Sequence, residues 1–196
     1  CVFTAANDEL FGEPNWGLPS VWPGQIYNLC KGLTKNGKIV IEQNVAAEKI
    51  AKVFNASMLK TRLSSDIRRE VWSKLVVNCV VNPLTAIFQV RNCEIAADSL
   101  KTVRRHIIKE CVAVGAAEHM TFPADLERKI DEGITNYTNF SSMCQDMMKG
   151  KKTEIDFLNG KIVELGRKHH VPTPVNETLV CFIKFLEDKH AVSRED

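Results

Sequence analysis

Lys74, Asn78 and Asn82 recur at steps of four within a stretch, residues 72–88, in which nearly every other side chain is apolar. At about 100° per residue, steps of four stack one above the next on a helix. One ammonium and two carboxamides then form a polar stripe on a helix that otherwise carries Trp72, Leu75, Val76, Val77, Val80 and Val81. A surface helix shows the reverse, an apolar stripe on a polar cylinder. A helix apolar on most sides is buried, and its buried polar groups need partners. Facing protein, the asparagines would cap neighbouring backbone and Lys74 would snorkel to water. Facing a ligand, the lysine would hold a carbonyl oxygen and deliver a proton to it, and the asparagines would orient a hydroxyl or carboxylate.

Two later stretches carry further candidates. Glu154 stands where an acid in a first helical turn favours the helix dipole, and beside Lys74 it would be an acid/base or charge-balancing partner. No sequence argument brings the two together. Ser142 and Asp146 lie one helical turn apart, with Asn139 just before them. Capping by Asn139 or Ser141 and a ligand role both suit this pattern.

Other chemistries find little support. His106, His119, His169, His170 and His190 lack the i, i+4 partner of a zinc helix, and no G-x-S-x-G, Walker or G-x-G-x-x-G motif occurs. The seven cysteines are scattered without a C-x-x-C pair, which reads as reduced thiols in a cytoplasmic setting with no metal. The 196 residues are 44% hydrophobic and 26% charged with net charge +2, suiting one sizeable domain or one plus part of another. Interspersed charges give no nucleic-acid footprint, and the absence of an apolar run of about 18 residues predicts no membrane span. The chain begins at Cys1 and enters an apolar segment directly, as expected of part of a longer polypeptide.

The elements that must position these residues follow from periodicity and punctuation. Pro14, Pro19 and Pro23 with Gly12, Gly17 and Gly24 mark a loop. Residues 25–30 and 38–43, on either side of Lys35-Asn36-Gly37, predict antiparallel strands joined by a turn. From Val45 onward the pattern reads as helical. A short helix spans 45–54, and Ser64 or Ser65 caps the striped helix, which Asn82-Pro83 should bend or break. A long helix follows over 95–119 with Val103, Ile107, Cys111 and Val114 on one face, then one over 123–137 and a short one ending near Gly150. Thr153 caps a helix carrying Ile155, Leu158, Ile162 and Leu165, closed by Gly166 and His169-His170. Pro174 opens the last helix.

On these residues the chain resembles the C-terminal domain of ketopantoate reductase (2-dehydropantoate 2-reductase). The likeness rests on Trp72-Ser-Lys-Leu-Val-Val-Asn78-Cys-Val-Val-Asn82-Pro-Leu-Thr-Ala, Asn139-Phe-Ser-Ser142-Met-Cys-Gln145-Asp146 and Thr153-Glu154-Ile-Asp-Phe-Leu-Asn159-Gly160. Val171-Pro-Thr-Pro174-Val-Asn176 fits the family's final helix, and order and spacing agree over 67–185. The family pairs a Rossmann domain with an all-helical one, with the active site in the cleft between. The resemblance implies a mainly α fold, a helical C-terminal domain of the 6-phosphogluconate-dehydrogenase-like type with a short β remnant of a Rossmann domain at its N-terminus. Residues 1–45 would be that domain's tail or a linker with two or three short strands, and 46–196 the helical substrate and catalytic domain.

The implied reaction is NADPH-dependent reduction of 2-dehydropantoate to pantoate, towards coenzyme A. By resemblance Lys74 is the catalytic lysine and Glu154 the second key ionisable group. Asn78, Asn82, Asn92 and Ser142 match substrate-contacting positions, and Asn139 matches a further active-site polar residue. The family's glycine-rich phosphate loop does not occur in this chain, so the cofactor is expected to bind mainly upstream, and this chain alone is expected to be inactive. The polar set would suit other 2-keto acids too. The rival reading is a non-catalytic helical domain of the same descent, kept for dimerisation or partner binding; the polar set argues against it. A small-molecule 2-keto acid and a homodimer through the helical domain are the partners this reading allows, without nucleic acid or membrane.

Overall fold

The computed structural model describes residues 2–3, 32–35, 38–42 and 45–192, with side chains over 47–189. Two compact units divide the chain, Cys1–Lys74 and Leu75–Asp196.

In the first unit, β-branched Ile39, Val40 and Ile41 make β3 (Lys38–Glu42) the best strand former, and it lies inside a four-stranded sheet of order β1-β2-β3-β4. It pairs antiparallel with β2 (Gly32–Lys35) from Lys35↔Lys38 to Gly32↔Ile41. β1 (Val2–Phe3) lies antiparallel to β2. The expected hairpin is present, but its first strand is Gly32–Lys35. Residues 25–30, the proline-rich loop and the Asn36-Gly37 turn lie outside the described residues.

Helix α1 (Val45–Ala56) links β3 to β4 (Thr61–Ser64), which pairs parallel with β3 from Ile39↔Thr61 to Glu42↔Ser64. This strand corrects the reading of 45 onward as wholly helical. Thr-Arg-Leu-Ser holds too little apolar alternation to signal a strand, and its backbone is recruited by the free edge of β3. Asn55 fixes the approach, since its Nδ2 donates to Ala51 O at 2.9 Å while its Oδ1 accepts from Thr61 N at 2.9 Å.

Helix α2 (Ile67–Phe88) runs 22 residues. Its cap is Asp66, whose Oδ1 accepts from Arg69 N at 3.0 Å; Ser64, expected as a cap, instead accepts from Asp66 N at 3.2 Å. Pro83 does not break α2, because the carbonyl it leaves unpaired finds another donor. By length and a mean hydropathy of 1.4 this is the one described helix apolar enough to cross a membrane. However, 61% of that stretch is buried inside the protein, as in a core helix.

In the second unit, α2 residues Leu75, Val76, Cys79, Val80 and Leu84 are buried. The same unit holds α3 (Lys101–Ala117), α4 (Leu126–Thr135), α5 (Ser142–Met148), α6 (Asn159–Lys168) and α7 (Pro174–Val192). The expected helix over 95–119 is divided: 3₁₀ turns at Asn92–Ala96 and Asp98–Leu100 precede α3. Buried Arg104 explains the division, since its Nη1 donates to Ile95 O at 2.6 Å and Ala97 O at 2.9 Å, taking carbonyls that a continuous helix would use. Its Nε pairs with Asp131 of α4 at 2.9 Å. The expected helix after Thr153 is likewise a 3₁₀ turn, Ile155–Phe157, followed by α6.

Candidate active site

Helix α5 is short, and its start is fixed by a hydroxyl chain. Ser141 Oγ accepts from Cys144 N at 3.0 Å, making Ser141 the cap. Ser141 and Thr85 oxygens lie 2.7 Å apart, and Thr85 Oγ1 also lies 2.7 Å from Val81 O. A carbonyl only accepts, so Thr85 donates to Val81 and Ser141 donates to Thr85. This ties the first turn of α5 to α2 through buried groups, leaving Ser142 exposed beside it.

Ser142 Oγ donates to Glu154 Oε1 at 2.8 Å, and Asn82 Nδ2 donates to the same oxygen at 3.0 Å. Three predicted residues from three segments thus meet on one carboxylate oxygen. Glu154 heads the 3₁₀ turn and is half-buried, while Asn82 is 5% exposed. Among the described residues no hydrogen bond reaches Oε2. Charge-assisted bonds on one oxygen hold the carboxylate's orientation while the other stays available to a donor from outside.

A second pair of predicted residues meets through backbone. Asn92 N donates to Asn139 O at 3.0 Å and Cys93 N to Tyr137 O at 2.8 Å. Arg91 pins the same loop, with Nη1 on Thr138 O at 2.7 Å and its guanidinium 4.8 Å from the Phe140 ring centroid. Asn92 is 8% exposed, and its Oδ1 is buried without a partner. Such an acceptor has lost water without gaining a donor. Asn139 is exposed, and its Nδ2 donates to Phe140 O at 3.1 Å.

Asn78 is half-buried, one helical turn before Asn82 on α2. Lys74, one turn further back, is half-buried and closes the first unit. Asp146 accepts through its carbonyl, from Lys149 N and Lys151 N. Sequence reasoning missed Thr85 and a chain of hydrogen bonds through Glu110, Asn176 and Asn159. The signal was Pro83, which requires a donor for a buried carbonyl four residues earlier.

The family model described as "Ketopantoate reductase PanE/ApbA C terminal" matches residues 66–187. The chain belongs to this family. All of these site residues lie within the matched span. A 2-dehydropantoate 2-reductase of Vibrio cholerae is 39% identical over 140 residues, covering 70% of this chain and 47% of the relative. Among solved structures, a PanE/ApbA family ketopantoate reductase from Ralstonia eutropha JMP134 superposes with TM-score 0.74 at 32% identity, covering 81% of this chain and 54% of that one. A D-mandelate dehydrogenase in a ternary structure with NADH and anilino(oxo)acetate gives TM-score 0.72 at 27% identity, covering 81% of this chain and 70% of that one. The chain spans about half the length of the curated relatives it matches, 47% and 56% for the first two.

Proposed function

We propose that this chain is the substrate-binding and proton-donating part of a reductase that converts 2-dehydropantoate to pantoate with NADPH in the cytoplasm. The observation that carries the reading is the convergence of Asn82 and Ser142 on a single oxygen of Glu154. A carboxylate so oriented, with its second oxygen unbonded by described residues, suits a site that must grip a small polar molecule in one pose.

The reduced nicotinamide supplies the hydride. The described residues offer no glycine-rich turn between a strand and a helix that would cradle its pyrophosphate, so their work lies at the keto-acid end. Hydride reaching a ketone carbon leaves alkoxide charge on the oxygen. Lys74 is assigned to hold that oxygen and give it a proton. Glu154 accepts from a substrate hydroxyl through Oε2 and balances charge in the site. Asn78, Asn82, Asn92, Asn139 and Ser142 fix the substrate's polar groups. We assign residues 1–45 to the tail of the nucleotide domain and 46–196 to the helical substrate domain.

The likeness to a D-mandelate dehydrogenase supports a second reading, reduction of a different 2-keto acid. The two separate in a kinetic comparison on the full-length polypeptide that contains this chain, with 2-dehydropantoate and phenylglyoxylate at matched NADPH. Our reading expects kcat/KM to favour 2-dehydropantoate by about tenfold or more, the discrimination available from a few polar contacts. Preference for the aromatic acid would establish the second reading.

A further inference from the structure

Pro83 sits inside α2. In an α-helix the N–H of residue 83 would donate to the carbonyl of residue 79, and proline has no N–H. Cys79 is fully buried, so water does not replace the missing bond. The replacement is a side chain from α6: Asn159 Nδ2 donates to Cys79 O at 3.0 Å.

The orientation of that carboxamide is dictated from further away. Glu110 of α3 accepts from Val175 N at 2.9 Å, Asn176 N at 2.9 Å and Asn176 Nδ2 at 2.7 Å, capping the start of α7. A carboxylate only accepts, so Asn176 must turn its NH₂ to Glu110 and its Oδ1 the other way. Asn159 Nδ2 donates to that Oδ1 at 2.9 Å. Both neighbours of the Asn159 NH₂ are therefore acceptors, and a flipped amide would set oxygen against oxygen. Asn159 and Asn176 are both 0% exposed, and Asn159 Oδ1 is left without a partner. Leaving a buried acceptor bare is costly, and here it is tolerated in order to serve two others.

Five residues before Asn159 stands Glu154, which accepts from Asn82, the residue directly before Pro83 and within the same turn as Cys79. One short segment thus grips α2 at two points, Cys79 and Asn82, within the turn that the missing backbone bond would close.

We propose that Asn159, oriented by Asn176 and Glu110, is a positioning residue that supplies the hydrogen bond Pro83 cannot make, fixing α2 between Asn78 and Asn82 and setting Glu154 against it. Its consequence for turnover rests on the function proposed above; the hydrogen-bond substitution itself does not.

The test is a double-mutant cycle in the full-length polypeptide, with Asn159→Leu, Pro83→Ala and the pair, read by urea unfolding without substrate. Pro83→Ala restores the backbone donor to Cys79 O, so the loss in folding equilibrium constant caused by Asn159→Leu should be about fivefold or more smaller in the Pro83→Ala background. Equal losses in both backgrounds overturn the proposal. In turnover of 2-dehydropantoate, Asn159→Leu should lower kcat/KM by about tenfold, and Pro83→Ala in that background should regain most of it. A packing role would instead make the two losses multiply, which also overturns it. Should Asn159→Leu not fold, the wild-type side-chain amide protons of Asn159 decide the matter by NMR. Slow exchange with solvent supports the bond, and exchange at the rate of exposed amides overturns it. A wild type without turnover removes the functional reading and leaves the unfolding and exchange results to judge the hydrogen bond.

Discussion

Asn82 donates its carboxamide to Glu154 at 3.0 Å, joining two groups 72 residues apart in the chain. The bond lends the middle of the striped helix a charge that no residue of that helix carries there. It also turns a buried asparagine, which alone would be an ordinary core residue, into one half of a held carboxylate.

Glu154→Gln keeps an oxygen for Asn82 and Ser142 while removing the charge. The expected outcome is a fall in kcat/KM of about 10² or more, with a urea midpoint close to wild type. Steady-state kinetics and urea unfolding on the same preparation check both halves. Loss of folding with intact specific activity would show Glu154 to be a structural ion alone.

Ser141 and Ser142 should separate in the opposite sense. Ser141 caps α5 and donates to Thr85, so Ser141→Ala should cost about 1–2 kcal/mol of stability. Ser142 is exposed and its hydroxyl bonds Glu154, so Ser142→Ala should leave stability nearly unchanged and weaken substrate binding, read as a higher KM.

Gly166 is set by close approach. A Cβ there would stand 2.8 Å from both Val171 O and Thr173 Cγ2. Gly166→Ala should therefore destabilise by about 1–3 kcal/mol, measured as a lower urea midpoint, as the chain between α6 and α7 is forced outward.

Glu118 gives a pH dependence with a definite sign. The bond from His169 Nε2 at 2.5 Å holds its carboxyl below the ordinary value of 4.5, with burial opposing and Lys168 assisting. A lowered folded-state pKa adds stability that is present above the ordinary value and lost as pH falls through the folded one. Wild type should therefore lose more stability than Glu118→Gln on acidification from neutral pH to below 4.5, and the gap between them should close at the acid end. Urea midpoints across that range test it.

Much of this was legible in the chain because it is written in local chemistry. The stripe at 74, 78 and 82, Pro174 at the head of α7 and the β-branched run of β3 each specify their own element. What stayed hidden depends on partners distant in sequence. β4 exists because β3 has an edge to fill, and the 3₁₀ turns before α3 exist because Arg104 takes their carbonyls. Pro83 read as a breaker because proline usually is one, and a buried Asn159, 80 residues beyond the Cys79 whose carbonyl it serves, makes it tolerable. The meeting of Glu154 with Asn82 and Ser142 was equally out of reach, since periodicity places residues on faces and does not say which faces meet.

The central claim is that Lys74 gives the proton in reduction of a 2-keto acid. It is tested most directly by 2-dehydropantoate-dependent oxidation of NADPH by the full-length polypeptide, comparing wild type with Lys74→Ala. The account predicts turnover by wild type and a loss of about 10² or more in kcat for the variant, as for removal of a positioned acid. Absence of turnover in wild type, or an unchanged rate in Lys74→Ala, would contradict it.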